Sequence, residues 1–153
     1  MKRHALWLLA LGLAYGGVAG ADSPSAAQST AGWQKIAARK SGCFMSVPPG
    51  WKVNPVLKGA AAPADNSASA VVSLADAASS LTEVKPVVQG MYKPTQTFED
   101  TGQRLWYAYE INGRTGWYVG VPVKGGICAA QITFKSGGEA LATQIARSVG
   151  AGS

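Results

Sequence analysis

The chain has 153 residues and a formal net charge of +6 at pH 7, and this length suits one domain with one hydrophobic core. Its basic residues are scattered, with only Lys35, Arg39 and Lys40 clustered, which argues against a nucleic-acid-binding protein. The two cysteines exclude a zinc site built from four cysteines.

The N-terminus has the three parts of a secretory signal. Lys2, Arg3 and His4 form a basic segment, an apolar run follows, and the small residues of Ala19-Gly20-Ala21 favour cleavage before Asp22. The apolar run is shorter than the roughly 20 residues of a membrane-spanning helix, and glycines interrupt it. We therefore predict a periplasmic or secreted protein with no later membrane span, organised as a signal peptide over 1–21, a disordered leader over 22–32 and a single domain over 33–150.

Cys43 and Cys128 remain after this cleavage. An exported protein in an oxidising compartment tends to pair an even number of cysteines, so we predict a disulfide between them. The bridge would close a loop of about 85 residues and contribute about 4–5 kcal/mol by chain entropy. The alternative is a pair of buried free thiols.

Short segments separated by turn residues make up the first part of the domain. Pro48-Pro49-Gly50 is a strong turn signal, and apolar and polar residues alternate on its N-terminal side. From this pattern we predict a helix or strand over 34–40, a strand over 43–47, a return strand at Trp51 and Val53, a loop over 55–67 and a short strand over 70–74.

A middle helix is predicted over residues 82–92. Val84, Val87, Val88 and Met91 occupy the i, i+3, i+4 and i+7 positions of one helix face. These four residues form the predicted apolar face.

The C-terminal half predicts a three-stranded meander. Residues 105–111 alternate, Asn112-Gly113 is a favoured hairpin turn, and alternation resumes over 117–121. A second turn at Lys124-Gly125-Gly126 leads into a strand over 127–134. The fold class is therefore α+β, with an antiparallel β-sheet on which the middle helix and a C-terminal helix pack.

The C-terminal helix is predicted from a capping box and helical spacing. Ser136 and Glu139 have the spacing of a capping box, and Leu141, Ile145 and Val149 follow on one face. This amphipathic helix must lay its apolar face on the sheet.

One motif and the order of these parts resemble a known superfamily. The motif is Phe44-Met45-Ser46-Val47-Pro48-Pro49-Gly50-Trp51, and the chain closes with a helix ending in Ile145-Ala146-Arg147-Ser148-Val149. The domain is similar to the Mog1/PsbP-like superfamily, in particular to its small exported bacterial members of the DcrB kind. The resemblance implies an antiparallel sheet flanked by helices and a binding or accessory role, with no shared catalytic residues.

Cleavage of the signal removes His4, the only histidine, so the mature protein has no imidazole. This excludes Ser-His-Asp and Cys-His catalysis and removes the commonest zinc ligand. We predict a protein that is not an enzyme and uses no cofactor or metal. A glycosidase would need two carboxylates across a cleft, and Glu99-Asp100 is the tempting pair, although Glu99-Asp100-Thr101-Gly102 is more typical of a turn. Glu83 suits the first turn of the middle helix, and Glu139 suits a cap.

Many aromatic residues lie in the meander strands. They either pack in the core or form a binding face. Alternation places Tyr107 and Tyr109 on one side with Leu105 and Ile111, which we assign to the core. Trp106 then faces solvent. Because Trp, Tyr and Arg are enriched at interface hot spots, the predicted partner-binding residues are Arg104, Trp106, Arg114 and Tyr118.

The predicted function is that of an exported binding or accessory protein that recognises a protein partner in the cell envelope, in an immunity- or adaptor-like role. The alternative is a carrier of a small apolar or envelope ligand, held between the meander and the C-terminal helix. A carboxylate-dependent hydrolase is the third possibility.

Overall fold

A computed structural model describes residues 30–39 and 42–150. The predicted signal peptide and the predicted leader as far as residue 29 lie outside the described residues. The elements are β1 (Gln34–Ala37), β2 (Phe44–Val47), β3 (Lys52–Val53), β4 (Ala60–Ala62), β5 (Ala68–Ala75), α1 (Leu81–Tyr92), β6 (Gln96–Asp100), β7 (Leu105–Ile111), β8 (Arg114–Val123), β9 (Gly126–Phe134) and α2 (Glu139–Ser148).

The strands form a seven-stranded antiparallel sheet in the order β3-β4-β5-β9-β8-β7-β6 and a separate β1–β2 hairpin. The predicted α+β class and the three-stranded meander are confirmed, and the meander extends from the middle strand β9 to β7, which adjoins the edge strand β6. Asn112 and Gly113 both have positive φ, 50° and 73°, as a tight hairpin turn between β7 and β8 requires.

Two strand predictions are wrong in detail. The strand after Trp51 joins the larger sheet by pairing with β4 instead of returning along β2, whose partner strand is β1. The predicted loop over 55–67 contains β4, whose three alanines carry no β-strand signal of their own and pair because β5 lies beside them. β6 was not predicted at all, and the chain turns after Asp100 rather than at Glu99.

Both faces of the meander are covered. The β1–β2 hairpin and α2 lie on one side, which we call the α2 face. They bury alternate residues of the meander, including Trp106, Trp117, Val119, Ile132 and Phe134. On the other side, the α1 face, α1 packs on β7 and β8 and buries Leu105, Tyr107, Tyr109, Tyr118 and Ile127. Two covering layers therefore leave little of the meander in contact with solvent.

The predicted disulfide between Cys43 and Cys128 is present. Both residues are fully buried on the α2 face. Cys43 immediately precedes β2 and Cys128 lies in β9, so the bond fixes the β1–β2 hairpin to the large sheet.

The middle helix is confirmed, but its predicted apolar face is only half right. Val88 is buried and Val84 partly buried, whereas Val87 and Met91 point away from the sheet and are 57% and 69% exposed. Leu81 completes the buried side instead. The side of α1 that is buried therefore differs from the side that hydrophobic spacing alone suggests, because contacts with the sheet decide which residues are covered.

The start of α2 differs from the predicted capping box. Gly138 is the N-cap, no side chain caps the helix, and Glu139 is its first residue. The acid in α1 behaves as expected of a first-turn residue: Glu83 accepts hydrogen bonds from the backbone N–H and the hydroxyl of Ser79. These bonds hold the pKa of Glu83 below its usual range.

Candidate functional site

The two aromatic residues of the predicted partner surface are not on the surface. Trp106 is 4% exposed and Tyr118 is 5% exposed. The ring of Trp106 packs edge-to-face on Trp117 at 5.3 Å and lies 5.3 Å from Phe98. The prediction that Trp106 faces solvent is wrong, because it assumed one uncovered sheet face and the β1–β2 hairpin and α2 cover that face.

The two arginines of that predicted surface lie at opposite ends of β7. Arg104 precedes the strand and its Nη1 lies 3.7 Å from Glu99 Oε2, whereas Arg114 opens β8 and donates from Nη1 to the carbonyl of Asn66 at 2.9 Å. The length of β7 separates them by roughly 20 Å. The four residues do not form one surface.

The acidic pair Glu99-Asp100 is also divided between two environments. Glu99 pairs with Trp106 and Asp100 with Leu105, so their side chains lie on opposite faces of the sheet. Carboxylates on opposite faces cannot flank one glycosidic bond.

Asp100 belongs to a small polar network under α1. Lys85 Nζ lies 2.5 Å from Asp100 Oδ2, and the Tyr107 hydroxyl donates to the same oxygen at 3.2 Å. The hydrogen bond from Lys85 holds the pKa of Asp100 below its usual range, and the same bond raises the pKa of Lys85. Burial, with the nearby Asp100 charge, raises the pKa of Tyr107. The network ties α1 to β6 and β7 and leaves Asp100 ionised at neutral pH.

A tyrosine cluster holds the other end of α1. The Tyr92 ring lies 4.6 Å from Tyr109 and 5.8 Å from Tyr118, and the Gln131 amide donates to the Tyr92 hydroxyl. Burial, with a smaller contribution from Tyr92, raises the pKa of Tyr109 and of Tyr118 to about 12. Gly116 of β8 lies opposite Tyr109, and a Cβ at this position would lie 2.4 Å from the Tyr109 ring. The ring therefore occupies the space that a larger residue at position 116 would need.

The solvent side of α1 is the most unusual surface of the helix. Its middle consists of Pro86, Val87, Gly90 and Met91, all exposed and none charged, and we call these four residues the α1 outer face. The outer side of a surface helix is normally charged or polar. A Cβ on Gly90 would meet no atom within 4 Å, so the space above this position is open.

A second candidate is an apolar cleft between α2 and the sheet. It encloses about 230 Å³, and its walls include Trp51, Ile132, Phe134, Leu141 and Ile145, with Lys135 at the rim. We call it the Trp51 cleft. This volume is below the roughly 300–1,000 Å³ of typical small-molecule pockets.

The residues 30–39 and 42–150 contain no group of three or more potential metal ligands. No helix within those ranges is both long and apolar enough to span a membrane. The α1 outer face was missed in the sequence because Val87 and Met91 were assigned to the buried side. The Pro86 and Gly90 positions, unusual inside a helix, were the available signal.

Neither a protein-family model nor a curated protein matches the chain. Among solved structures, it is similar to the solution structure of the cyanobacterial PsbP (CyanoP) from Synechocystis sp. PCC 6803. The two chains are 15% identical, the match covers 84% of this chain and 99% of that chain, and the TM-score is 0.48. This structural neighbour is a PsbP protein, whereas membership of the DcrB kind stays a prediction. A likeness of this degree says nothing about activity or partners.

Proposed function

We propose that the chain is an exported accessory protein that works by recognising a protein partner through the α1 outer face, and that it is not an enzyme. The observation that carries the proposal is an uncharged, apolar surface in the middle of a helix whose opposite side packs on the sheet.

The helix is held firmly, which favours recognition. Lys85 is paired with Asp100 in the first half of the helix, the Tyr92 ring packs against Tyr109 at its end, and Val88 is buried between them. A preformed surface loses little conformational entropy when a partner binds.

The chemistry of the outer face also suits a protein partner. Its apolar centre lies between Glu83 in the first turn and Lys93 just after the helix, and both are exposed. Interfaces commonly have an apolar centre and a charged or polar rim. Met91 adds a flexible side chain that adapts to an irregular partner surface.

Export and a non-catalytic role are parts of the same proposal. The buried Cys43–Cys128 bond fits an oxidising compartment outside the cytoplasm, which a cleaved signal over 1–21 would provide. The only histidine would leave with that signal, and Asp100 is engaged with Lys85 and Tyr107. An adaptor- or immunity-like role is the form of recognition that we propose.

Photo-crosslinking in the producing cells tests this function. A photoreactive residue at position 87 or at position 91 is expected to capture the same protein. Ile111, 41% exposed on the β7–β8 hairpin, is the matched control position and is expected to capture nothing in common with them. Adducts that are the same at all three positions, or absent at 87 and 91, contradict the proposal.

The Trp51 cleft supports a second candidate function, the binding of a small apolar ligand. Its walls are mostly aliphatic and aromatic, with Ser67, Lys135 and Ser136 among the lining residues, and α2 closes one side. Native mass spectrometry of gently purified protein should then show a small adduct, which Leu141→Trp should remove by filling the cleft. A clean apo mass from the unaltered protein contradicts this function.

A further inference from the structure

The turn between β3 and β4 presents two adjacent aliphatic side chains to solvent. Val56 is 76% exposed and Leu57 is 54% exposed. The turn, residues 54–59, lies at the β3 edge of the seven-stranded sheet, at the opposite end of the strand order from β6 and β7. Turns at a sheet edge are usually polar, so this pair calls for an explanation.

The turn is ordered by its own hydrogen bonds. Asn54 Oδ1 accepts from the backbone N–H groups of both Val56 and Leu57 at 2.9 Å, and Ala60 N–H donates to the Leu57 carbonyl at 2.8 Å. Val72 N–H donates to the Gly59 carbonyl at 2.8 Å. The two aliphatic side chains are therefore held outward by a fixed backbone.

A glycine is required where the turn rejoins the sheet. A Cβ on Gly59 would lie 2.4 Å from the Val72 carbonyl oxygen, so only glycine allows the turn to approach β5 this closely. The close approach fixes the direction in which the tip projects.

Cationic side chains flank the aliphatic tip. Lys52 in β3 and Lys58 in the turn are exposed. Arg39 and Lys58 line one open depression of about 400 Å³ with Leu57, where Asp76 is the acidic side chain. A short aliphatic projection surrounded by Lys and Arg is the arrangement that inserts at the surface of an anionic bilayer.

We propose that this turn docks the protein on an anionic lipid surface. Val56 and Leu57 insert at the boundary between headgroups and acyl chains, and Lys52, Lys58 and Arg39 face the lipid phosphates. A lipid surface suits this tip because it offers anionic phosphates to every cation around the two aliphatic side chains at once. Helix α1 packs on β7 and β8, at the other end of the strand order from this turn, so the α1 outer face and the turn are available at once.

Flotation with lipid vesicles tests the docking. The exported protein is expected to bind vesicles of phosphatidylcholine with phosphatidylglycerol and to bind pure phosphatidylcholine vesicles far more weakly. Val56→Ser/Leu57→Ser should lower the partition coefficient about tenfold or more. Lys52→Gln/Lys58→Gln should lower it about 25-fold at low ionic strength, since each cation contributes about fivefold.

The matched control is Val87→Ser/Met91→Ser, which removes two aliphatic side chains from the α1 outer face and should leave vesicle binding unchanged. All variants have the same N-terminal segment, so a difference in vesicle binding between them comes from the substituted residues. Failure of the unaltered protein to float with phosphatidylglycerol overturns the docking proposal. So does equal flotation of the unaltered protein and the turn variants. Neither result affects the proposed partner recognition.

NMR line broadening on phosphatidylglycerol nanodiscs locates the contact. We expect broadening at the amides of residues 54–59, with the amides of 86–91 unaffected. Broadening centred on α1 instead would contradict the docking proposal.

Discussion

Removal of the disulfide should cost a large share of the stability of the fold. The bond spans a sequence separation of 85 residues between Cys43 and Cys128. In the chain-entropy treatment, closing a loop of that length lowers the conformational entropy of the unfolded chain by about 15 cal/mol/K. This raises the free energy of the unfolded state by about 4.6 kcal/mol at 25 °C. A domain of this size is stable by only about 5–15 kcal/mol in total, so the loss is severe.

Cys43→Ala/Cys128→Ala in urea unfolding measures this loss. We expect the free energy of unfolding to fall by about 4–6 kcal/mol, because small cavities at two fully buried sites add to the entropic loss. The backbone amides of the β1–β2 hairpin should also exchange hydrogen faster than those of the meander. A loss below about 1 kcal/mol would refute the view that the bond fixes the hairpin to the sheet.

Two further predictions concern the contacts of α1. Gly116→Ala should lower the free energy of unfolding by about 1–3 kcal/mol, because its Cβ would displace the Tyr109 ring. The control is Gly102→Ala, whose Cβ would meet nothing within 4 Å; it should change the free energy of unfolding by less than about 0.5 kcal/mol in the same thermal or urea experiment. The pKa of Asp100 is depressed by Lys85, so its stabilising effect is complete above the unfolded pKa near 4 and is lost as pH falls through the lower folded pKa. Asp100→Asn should therefore flatten the acid limb of unfolding free energy against pH, and an unchanged limb would remove Asp100 from this role.

The central meander was predictable because its signals are local and agree with one another. Alternation over 105–111, the Asn112-Gly113 turn and the second glycine turn all indicate the same three strands, and the structure has them. β4 could not be predicted in the same way, because three alanines pair only when β5 is already beside them. β6 was missed for a related reason: Glu99 and Asp100 resemble turn residues, yet β7 supplies their backbone partners.

The site was harder to predict than the fold, because exposure depends on what covers each face. Trp106 and Tyr107 alternate correctly, but the sequence does not show that separate layers cover both sides of their strand. Val87 and Met91 fit a helical apolar stripe just as well as Leu81 and Val88 do. Only the packing of α1 on β7 and β8 decides which stripe is buried.

The most direct test of partner recognition is a Gly90→Lys substitution on the α1 outer face. The new side chain enters open space, and replacing glycine within an exposed helix should raise stability by about 0.5–1 kcal/mol, so any loss of binding cannot come from unfolding. Gly102→Lys adds the same charge on the β6–β7 turn as the matched control. We predict that the dissociation constant for the partner captured by cross-linking rises at least about 30-fold with Gly90→Lys and less than about twofold with Gly102→Lys. Equal affinities for the unaltered protein and Gly90→Lys would contradict the account.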